Sequence, residues 1–477
     1  MTLFHDLQDY AAIPRVTALR LSPDGGWLAA AVQTLAPGGK KYLTSIWRID
    51  PACEARDAAA GPRKLTCSAE GEDNPRFLPD GSLVFISKRP GAGPGSQDGR
   101  PEGAAAGGAA SLWMLPATGG EARRVVSLPG GIAGAEAASG TGIIVLASPV
   151  LQGAGTGDGT STAEDDARLR KAREEAGVTA ILHESVPVRY WDHDLGPGQL
   201  RLFAADIGDI EGRMTAADLG HEKAAGPGRA DGAKQDGLRD LTPGPAGPGR
   251  ALDEQPFEVT PDGTAAVTGW WLWDGAVKSR AELAVIDVAT GQRQAVLSAP
   301  GFDFSHPRVS PDGRFVACLR TSHDTWESPR DVTIVLAPLP GPAGAGPGGA
   351  EPGGAGSGGS EPGGTAPGGG RDLLPGFDRW PAELAWAADS RSVYFTADDH
   401  GRRPVFAVDT GTGEVARITA DDGAYTDLNP SPDGRYLYAL RSSVDEPPTP
   451  VRLDAAGELD AAGAAGAPGE RGGLEEP

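Results

Sequence analysis

The sequence predicts an all-β protein, a seven-bladed β-propeller, from a recurring turn tetrad, the apolar runs that follow it and the spacing of the copies. The tetrad reads SPDG, LPDG or TPDG at residues 22–25, 78–81, 260–263, 310–313 and 431–434, with a degenerate AADS at 387–390. Proline sets φ at the second turn position, aspartate caps the turn and glycine accepts a positive φ. Each copy is therefore predicted to close a β-hairpin.

Short apolar runs follow the tetrads, as in RFVACLR at residues 314–320 and RYLYALR at 435–441. A second run that ends in a polar turn comes next, as in ELAVIDVATGQ at 282–292. Apolar runs of this length between turn residues are typical of buried strands. Each unit is therefore predicted to contain three or four antiparallel strands.

The tetrads are spaced like propeller blades, which repeat every 40 to 50 residues or so. The spacing is 56 residues from Ser22 to Leu78, 50 from Thr260 to Ser310, and 182 across the interval from Leu78 to Thr260, which is predicted to contain a blade without a tetrad. After a lead-in at residues 1–15, the propeller is predicted over 16–453. Its seven units are expected near residues 16–50, 70–117, 130–206, 253–298, 303–340, 380–418 and 425–453.

The excess of glycine and proline, 71 and 42 residues, is concentrated in three segments. Residues 91–110, 220–250 and 341–370 are predicted to be flexible insertions, because such compositions cannot offset the entropy of ordering. The C-terminal tail, 454–477, is predicted to be disordered for the same reason. A charged segment, 163–176, predicts one short surface helix with a serine or threonine cap and a single large apolar residue, Leu169.

The charge balance excludes several classes of partner. With 43 basic and 65 acidic residues the net charge is −22, which disfavours nucleic acid and anionic membranes. No apolar run approaches the ~20 residues of a membrane span, and the N-terminus lacks the pattern of a signal peptide. Three scattered cysteines fit a cytoplasmic protein without a zinc site, and no phosphate-binding loop is present. We therefore expect no metal or cofactor.

Three segments resemble a known family. EGEDNPRFLPDGSLVFIS at 70–87, FDFSHPRVSPDGRFVACLR at 302–320 and VRYWDHD at 188–194 are similar to the N-terminal β-propeller of prolyl oligopeptidase-family serine peptidases, in the acylaminoacyl- and dipeptidyl-peptidase branch. The resemblance covers about residues 10–453. It implies a lid that admits short peptides to an α/β-hydrolase domain, which carries the catalytic serine, aspartate and histidine.

The chain departs from that family at the nucleophile. No G-x-S-x-G pentad is present, and Ser357 has Ala355 in place of the first glycine. The 23 residues beyond Asp454 are too few for a hydrolase domain. We therefore expect a noncatalytic, substrate-gating propeller that is inactive alone, and assign no catalytic residue. The alternative is a stand-alone TolB-like propeller that binds a protein.

Two residues are candidates for substrate contacts. In the resembling family, propeller residues help to hold the terminus of the substrate, and Glu184 and Arg189 lie in the densest group of titratable and aromatic side chains. No motif assigns either residue individually. The alternative interpretation, which we favour, is a structural ion pair.

Overall fold

The described part of the chain is arranged as seven antiparallel sheets around a central axis. The computed structural model describes residues 6–51, 61–90, 109–155, 161–183, 188–192, 194–210, 237–244, 256–274, 278–341 and 368–455. Six sheets have four strands and the last has three. The predicted seven-bladed propeller is therefore confirmed. The predicted insertions and the tail fall largely outside the described residues, although part of the segment 220–250 forms a strand of blade 3.

Each blade begins with an inner strand and continues outward in chain order. The strands are, for blade 1, β1 (Arg15–Leu21), β2 (Leu28–Leu35), β3 (Tyr42–Ile49) and β4 (Arg63–Lys64); for blade 2, β5 (Glu72–Phe77), β6 (Leu83–Ser87), β7 (Ser111–Leu115) and β8 (Arg123–Ser127); for blade 3, β9 (Gly134–Ala137), β10 (Ile143–Leu151), β11 (Gly198–Asp206) and β12 (Leu238–Asp240); for blade 4, β13 (Glu258–Val259), β14 (Ala265–Asp274), β15 (Lys278–Asp287) and β16 (Arg293–Leu297); for blade 5, β17 (Phe302–Val309), β18 (Phe315–Ser322), β19 (Val332–Pro338) and β20 (Arg371–Asp372); for blade 6, β21 (Pro381–Trp386), β22 (Ser392–Ala397), β23 (Val405–Asp409) and β24 (Val415–Arg417); and for blade 7, β25 (Ala424–Pro430), β26 (Tyr436–Ser442) and β27 (Thr449–Asp454).

The tetrads form the hairpin turns between the inner and second strands. In the first copy the Ser22 hydroxyl donates to Asp24 at 2.6 Å and accepts from the Trp27 amide at 3.0 Å. Gly25 has φ +72°, which favours glycine. Thr260, Ser310 and Ser431 make equivalent hydroxyl-to-aspartate bonds, so the same turn recurs in their blades.

The core lies between neighbouring sheets. Phe85, Phe304 and Phe395 are fully buried there, and each blade contributes apolar residues to clusters shared with the next blade. Cys318 is also buried in this layer, where burial raises the pKa of its thiol to about 12. It therefore packs as a small core residue.

The longer helix is anchored by buried carboxylates. A short helix, α1 (Leu7–Ala12), precedes β1, and α2 (Thr162–Glu175) follows β10 as expected for the charged segment. Asp166 accepts the Leu151 amide at 2.8 Å and pairs with Arg170. Glu164 caps the helix together with Ser161, and Arg168 pairs with Asp165 at 2.6 Å.

Among the described residues, the ring closes without a strand shared between its two ends. β1 belongs to blade 1, and its contact with β25 of blade 7 is made through side chains. Asp427 accepts the Leu19 amide at 2.6 Å and pairs with the Arg20 guanidinium at 2.5 Å. Asn429 donates to the Leu19 carbonyl at 3.1 Å. Two β25 side chains therefore replace the backbone ladder of a shared strand.

We expect Asp427→Asn to destabilise the protein, because it removes the negative charge opposite Arg20. Asp427 has φ +58°, a conformation that asparagine tolerates, so the change tests charge rather than backbone strain. The expected loss is about 2–4 kcal/mol in the free energy of unfolding, measured by chemical denaturation. Asp422→Asn is the matched control, because Asp422 pairs with Arg402 at the surface, where a loss below about 1 kcal/mol is expected. Equal losses in the two variants would contradict this account of ring closure.

Candidate functional site

The seven inner strands surround the central channel, since each packs against the inner strands of both neighbouring blades. Each blade places one charged side chain on this lining. Six of them have apolar residues on both sides in the sequence, such as the fully buried Leu19 beside Arg20. We call the set the channel belt; in blade order its members are Arg20, Arg76, Glu136, Glu258, Arg308, Glu383 and Asp427.

The belt side chains lie deep in the protein but against a water-accessible space. The belt side chains that form ion pairs are between 15% exposed, for Arg76, and 35% exposed, for Arg308. They also act on one another across the channel: Arg76 influences Glu258 two blades away, and Arg308 influences Glu136. The belt is therefore one electrostatic unit.

Arg76 and Glu136 form the strongest contact of the belt. Two parallel hydrogen bonds, at 2.7 and 2.5 Å, join the guanidinium of blade 2 to the carboxylate of blade 3. Burial acts to raise the pKa of Glu136, but Arg76 outweighs it and holds that pKa below its usual range. Glu136 therefore remains ionised at neutral pH.

Arg308 links blade 5 to both of its neighbours. It donates through Nε to the Leu384 carbonyl at 3.1 Å, and its own carbonyl accepts from the Trp386 indole at 2.8 Å. On the other side its Nη1 lies 3.5 Å from Glu258 Oε2. Blades 4, 5 and 6 are therefore joined at the channel through this one residue.

Acidic residues join the last blades. Glu383 accepts the Asp427 amide at 2.5 Å, and Asp427 in turn holds Arg20. Contacts of belt residues thus bridge the junctions from blade 2 to 3 and from blade 4 through 7 to 1. The two remaining junctions bring like charges together: Arg20 beside Arg76 between blades 1 and 2, and Glu136 beside Glu258 between blades 3 and 4.

At the like-charged junctions, burial and the neighbouring charge shift the pKa values of Glu258 and Arg20. Burial and the charge of Glu136 raise the pKa of Glu258 to about 7, although Arg308 acts in the opposite direction. Burial and the charge of Arg76 lower the pKa of Arg20. Glu258 Oε2 is shielded from solvent and accepts no hydrogen bond among the described residues. Ionised Glu258 is therefore the least compensated group of the belt.

Three inner strands carry a bulge with a non-glycine residue at positive φ. The residues are Asn74 at +55°, His306 at +52° and Asp427 at +58°, each four positions before a tetrad. Bulges redirect side chains and cost about 1–2 kcal/mol when a non-glycine residue adopts this conformation. Burial, followed by the charge of Arg308, lowers the pKa of His306. The His306 imidazole is therefore neutral at pH 7.

Of the two residues selected from the sequence, Arg189 alone is in the described part of the chain. Glu184 lies outside the described residues. Arg189 is 61% exposed in the connection between β10 and β11 and lies 3.5 Å from Asp194, which is 82% exposed. An exposed ion pair of this kind contributes little to stability. Nothing in these contacts connects Arg189 with the channel.

The sequence did contain a signal for the belt. Counting back two positions from the tetrads at 22, 78, 260 and 310 gives Arg20, Arg76, Glu258 and Arg308. A charged residue at a fixed offset from a repeated turn must recur at one level of the ring. In blades 6 and 7 the charge lies four positions before the tetrad, so a search at a single offset finds only part of the belt.

One end of the propeller carries the exposed large apolar side chains. The inner strand runs toward the tetrad and the second strand runs back, so the connections from the second to the third strand lie at the opposite end. All twelve exposed large apolar residues among the described positions lie there or just before an inner strand. We call this end the apolar face; its members are Leu7, Tyr10, Tyr42, Val178, Ile181, Leu182, Val188, Trp191, Trp273, Trp326, Trp380 and Val444.

Tryptophan illustrates how the apolar face differs from the interior. Trp270 packs against the core between blades 3 and 4, whereas Trp273 is 44% exposed. Trp191 and Trp326 are almost completely exposed. Patches with several exposed aromatic residues are typical of protein interfaces.

The described residues contain no group of three or more His, Cys, Asp or Glu side chains arranged to hold a metal ion. Among the same residues, no helix has the length and hydropathy needed to cross a membrane.

The architecture is similar to that of several solved structures. Acylaminoacyl peptidase from Pyrococcus horikoshii has a TM-score of 0.56 at 12% identity, over 93% of this chain and 52% of that protein. The β-propeller domain of the Trilobed protease from Pyrococcus furiosus gives 0.51 at 10% identity, over 93% and 96%. Oligogalacturonate lyase from Vibrio parahaemolyticus gives 0.53 at 10% identity, over 92% and 89%.

These likenesses concern the fold. No protein-family profile and no curated protein sequence matches the chain. The chain spans about half the length of the acylaminoacyl peptidase, 52%. The predicted resemblance to the propellers of such peptidases is confirmed at the level of the fold, since the chain has the seven-bladed architecture found among these structures.

We expect Glu258→Gln to stabilise the protein at alkaline but not at acidic pH. Because the folded-state pKa of Glu258, about 7, lies above the ordinary glutamate value of 4.5, the folded state retains a proton that the unfolded state has lost. Stability should therefore decrease as pH rises from 4.5 to 7 and stay level above that. Glutamine removes this loss, a gain of about 1–3 kcal/mol at pH 8 and little at pH 4.

The measurement is chemical denaturation at both pH values, with the exposed Glu414→Gln as the control that should change neither. A loss of stability at pH 8 would mean that the ionised carboxylate strengthens the belt through Arg308.

Proposed function

We propose that this chain is the noncatalytic, substrate-gating propeller of a cytoplasmic serine peptidase of the prolyl oligopeptidase family, of the acylaminoacyl- or dipeptidyl-peptidase type. The similarity of fold to acylaminoacyl peptidase supports this assignment. The sequence resemblance over VRYWDHD and the tetrad strands favours the same branch. In this proposal an α/β-hydrolase partner supplies the serine, histidine and aspartate, and this chain controls access to them.

The observation that carries the proposal is the apolar face. Exposed tryptophan is costly unless another surface covers it, and four tryptophans are exposed on this one end: Trp191, Trp273, Trp326 and Trp380. β1 and α1 also begin at this end, which surrounds one mouth of the channel. A partner that covered the apolar face would enclose a cavity between itself and the channel, where peptide hydrolysis would be separated from bulk solvent.

The channel belt provides the restriction in this proposal. Charged side chains from seven blades are linked at five of the seven junctions, so widening the channel requires breaking ion pairs and hydrogen bonds. Short peptides are the expected substrates, and folded proteins are excluded. The hydrolysis itself follows the nucleophile, base and oxyanion-hole chemistry of a serine hydrolase and takes place on the partner.

We expect the purified chain to cleave no fluorogenic aminoacyl or acylaminoacyl reporter by itself. Adding an α/β-hydrolase domain of the acylaminoacyl-peptidase type should restore selective turnover: short reporters are cleaved and a denatured protein substrate is excluded. Turnover by the chain alone that a serine-directed reagent abolishes would overturn the proposal.

The apolar face should determine this reconstitution. The double change Trp191→Ser and Trp326→Ser is expected to weaken association with the hydrolase domain by at least about tenfold, because exposed aromatic residues are frequent interface hot spots. Arg391→Ser, at an exposed position beside a tetrad turn on the opposite end, is the matched control. Equal association of both variants would place the interface elsewhere.

The alternative, a stand-alone TolB-like interaction propeller, predicts a different result. The apolar face would then bind a protein without hydrolase activity. No reporter would be cleaved with any hydrolase domain tested. The two tryptophan changes would still weaken binding to the non-hydrolase partner.

A further inference from the structure

The order of charges around the channel belt places like charges side by side in neighbouring blades. Blades 1 and 2 contribute positive charges next to each other, Arg20 and Arg76, and blades 3 and 4 contribute negative charges, Glu136 and Glu258. Like charges confined in one narrow space raise the free energy of the empty channel. A ligand with the opposite order of charges would relieve both junctions at once.

The belt also has unused hydrogen-bonding capacity at these junctions. The Glu258 side chain is 27% exposed, and its Oε2 accepts no hydrogen bond within the described part of the chain, although Arg308 Nη1 lies 3.5 Å away. Among the same residues, Arg20 donates through Nη1 alone, to Asp427 and to its own neighbour Leu19, which leaves the rest of the guanidinium for a ligand. The bidentate Arg76–Glu136 pair lies between Arg20 and Glu258 in the order of the blades. It holds the basic pair, Arg20 and Arg76, next to the acidic pair, Glu136 and Glu258.

We propose that the channel belt binds a small zwitterion, a free peptide as short as a dipeptide, whose carboxylate lies against Arg20 and Arg76 and whose ammonium group lies against Glu136 and Glu258. The inference deepens the proposed gating role, and it rests on that role for the statement that peptides reach the channel. Binding itself requires only this chain.

The composition of the belt explains why both charges are needed. An anion without an ammonium group would meet four carboxylates, and a cation without a carboxylate would meet three guanidinium groups. A zwitterion adds no net charge and places each end beside its complement. Electrostatic complementarity of this kind discriminates among ligands more strongly than it increases affinity.

The test is calorimetric titration of the intact chain with glycylglycine and its blocked forms. N-acetylation removes the ammonium group, C-terminal amidation removes the carboxylate, and the doubly blocked dipeptide keeps the size and the peptide bond. We expect the free dipeptide to bind at least about tenfold more tightly than either singly blocked form, as for other charge-paired contacts. Equal affinity for the free and blocked dipeptides would overturn the proposal.

Two variants assign the ends of the ligand. Glu258→Gln should weaken binding of the free dipeptide about fivefold or more and leave the N-acetylated form unchanged, whereas Arg20→Gln should leave the amidated form unchanged. The exposed Glu414→Gln is the matched control and should bind like the original chain. Thermal denaturation of each variant establishes that it is folded. If both belt variants bind the free dipeptide as tightly as the control does, the belt is not the site.

The outcomes separate this inference from the proposed function. Dipeptide binding without any reconstituted peptidase activity would support the site and count against the gating role. Reconstituted gating without selective dipeptide binding would support the role and overturn the site.

Discussion

The structure depends on closing a ring of seven sheets at its inner strands. Each sheet packs apolar residues against the next one, but the inner strands must also meet around the axis, where water reaches the chain. In the described part of the chain, blades 7 and 1 share no strand. Asp427 joins them instead, since its carboxylate accepts hydrogen bonds from the Leu19 amide and from Arg20. Because its backbone adopts a positive φ, the same residue also presents its amide to Glu383. One bulge therefore connects three blades.

The same constraint creates the candidate site. A position that recurs at one level in every blade forms a ring, and a ring of seven charges cannot alternate in sign all the way round. This sequence places three like-charged pairs in neighbouring blades, Arg20 with Arg76, Glu136 with Glu258, and Glu383 with Asp427. Burial makes that arrangement costly at Glu258 in particular. Ionisable groups whose pKa values are shifted by burial inside a cavity are frequent at functional sites. The interactions that close the ring and those that could recognise a ligand are thus made by the same residues.

The two ends of the propeller differ because of the order of the strands. At the tetrad end the turns between the inner and second strands are short and polar, and their hydroxyl and carboxylate groups bond to one another, as in Ser310 and Asp312. The opposite end carries α2 and the exposed tryptophans. Polar turns need no covering surface, whereas exposed aromatic residues do. This asymmetry gives a single direction for a partner to approach, and the channel opens toward it.

The sequence alone determined the repeat, the fold and the turn chemistry. The proline, aspartate and glycine of each tetrad favour a turn locally, and each apolar run favours burial whatever the rest of the chain does. It also predicted α2, since the cap and charge pattern of that helix are local. The channel belt was decided by the tertiary structure. Arg76 and Glu136 are sixty residues apart, and Arg20 and Asp427 are more than four hundred residues apart, so their pairing depends on the ring closing. Arg189 was selected because titratable groups are dense along that part of the chain, and in the structure its ion pair is with its near neighbour Asp194. Only the arrangement of seven inner strands around one axis brings the charges together.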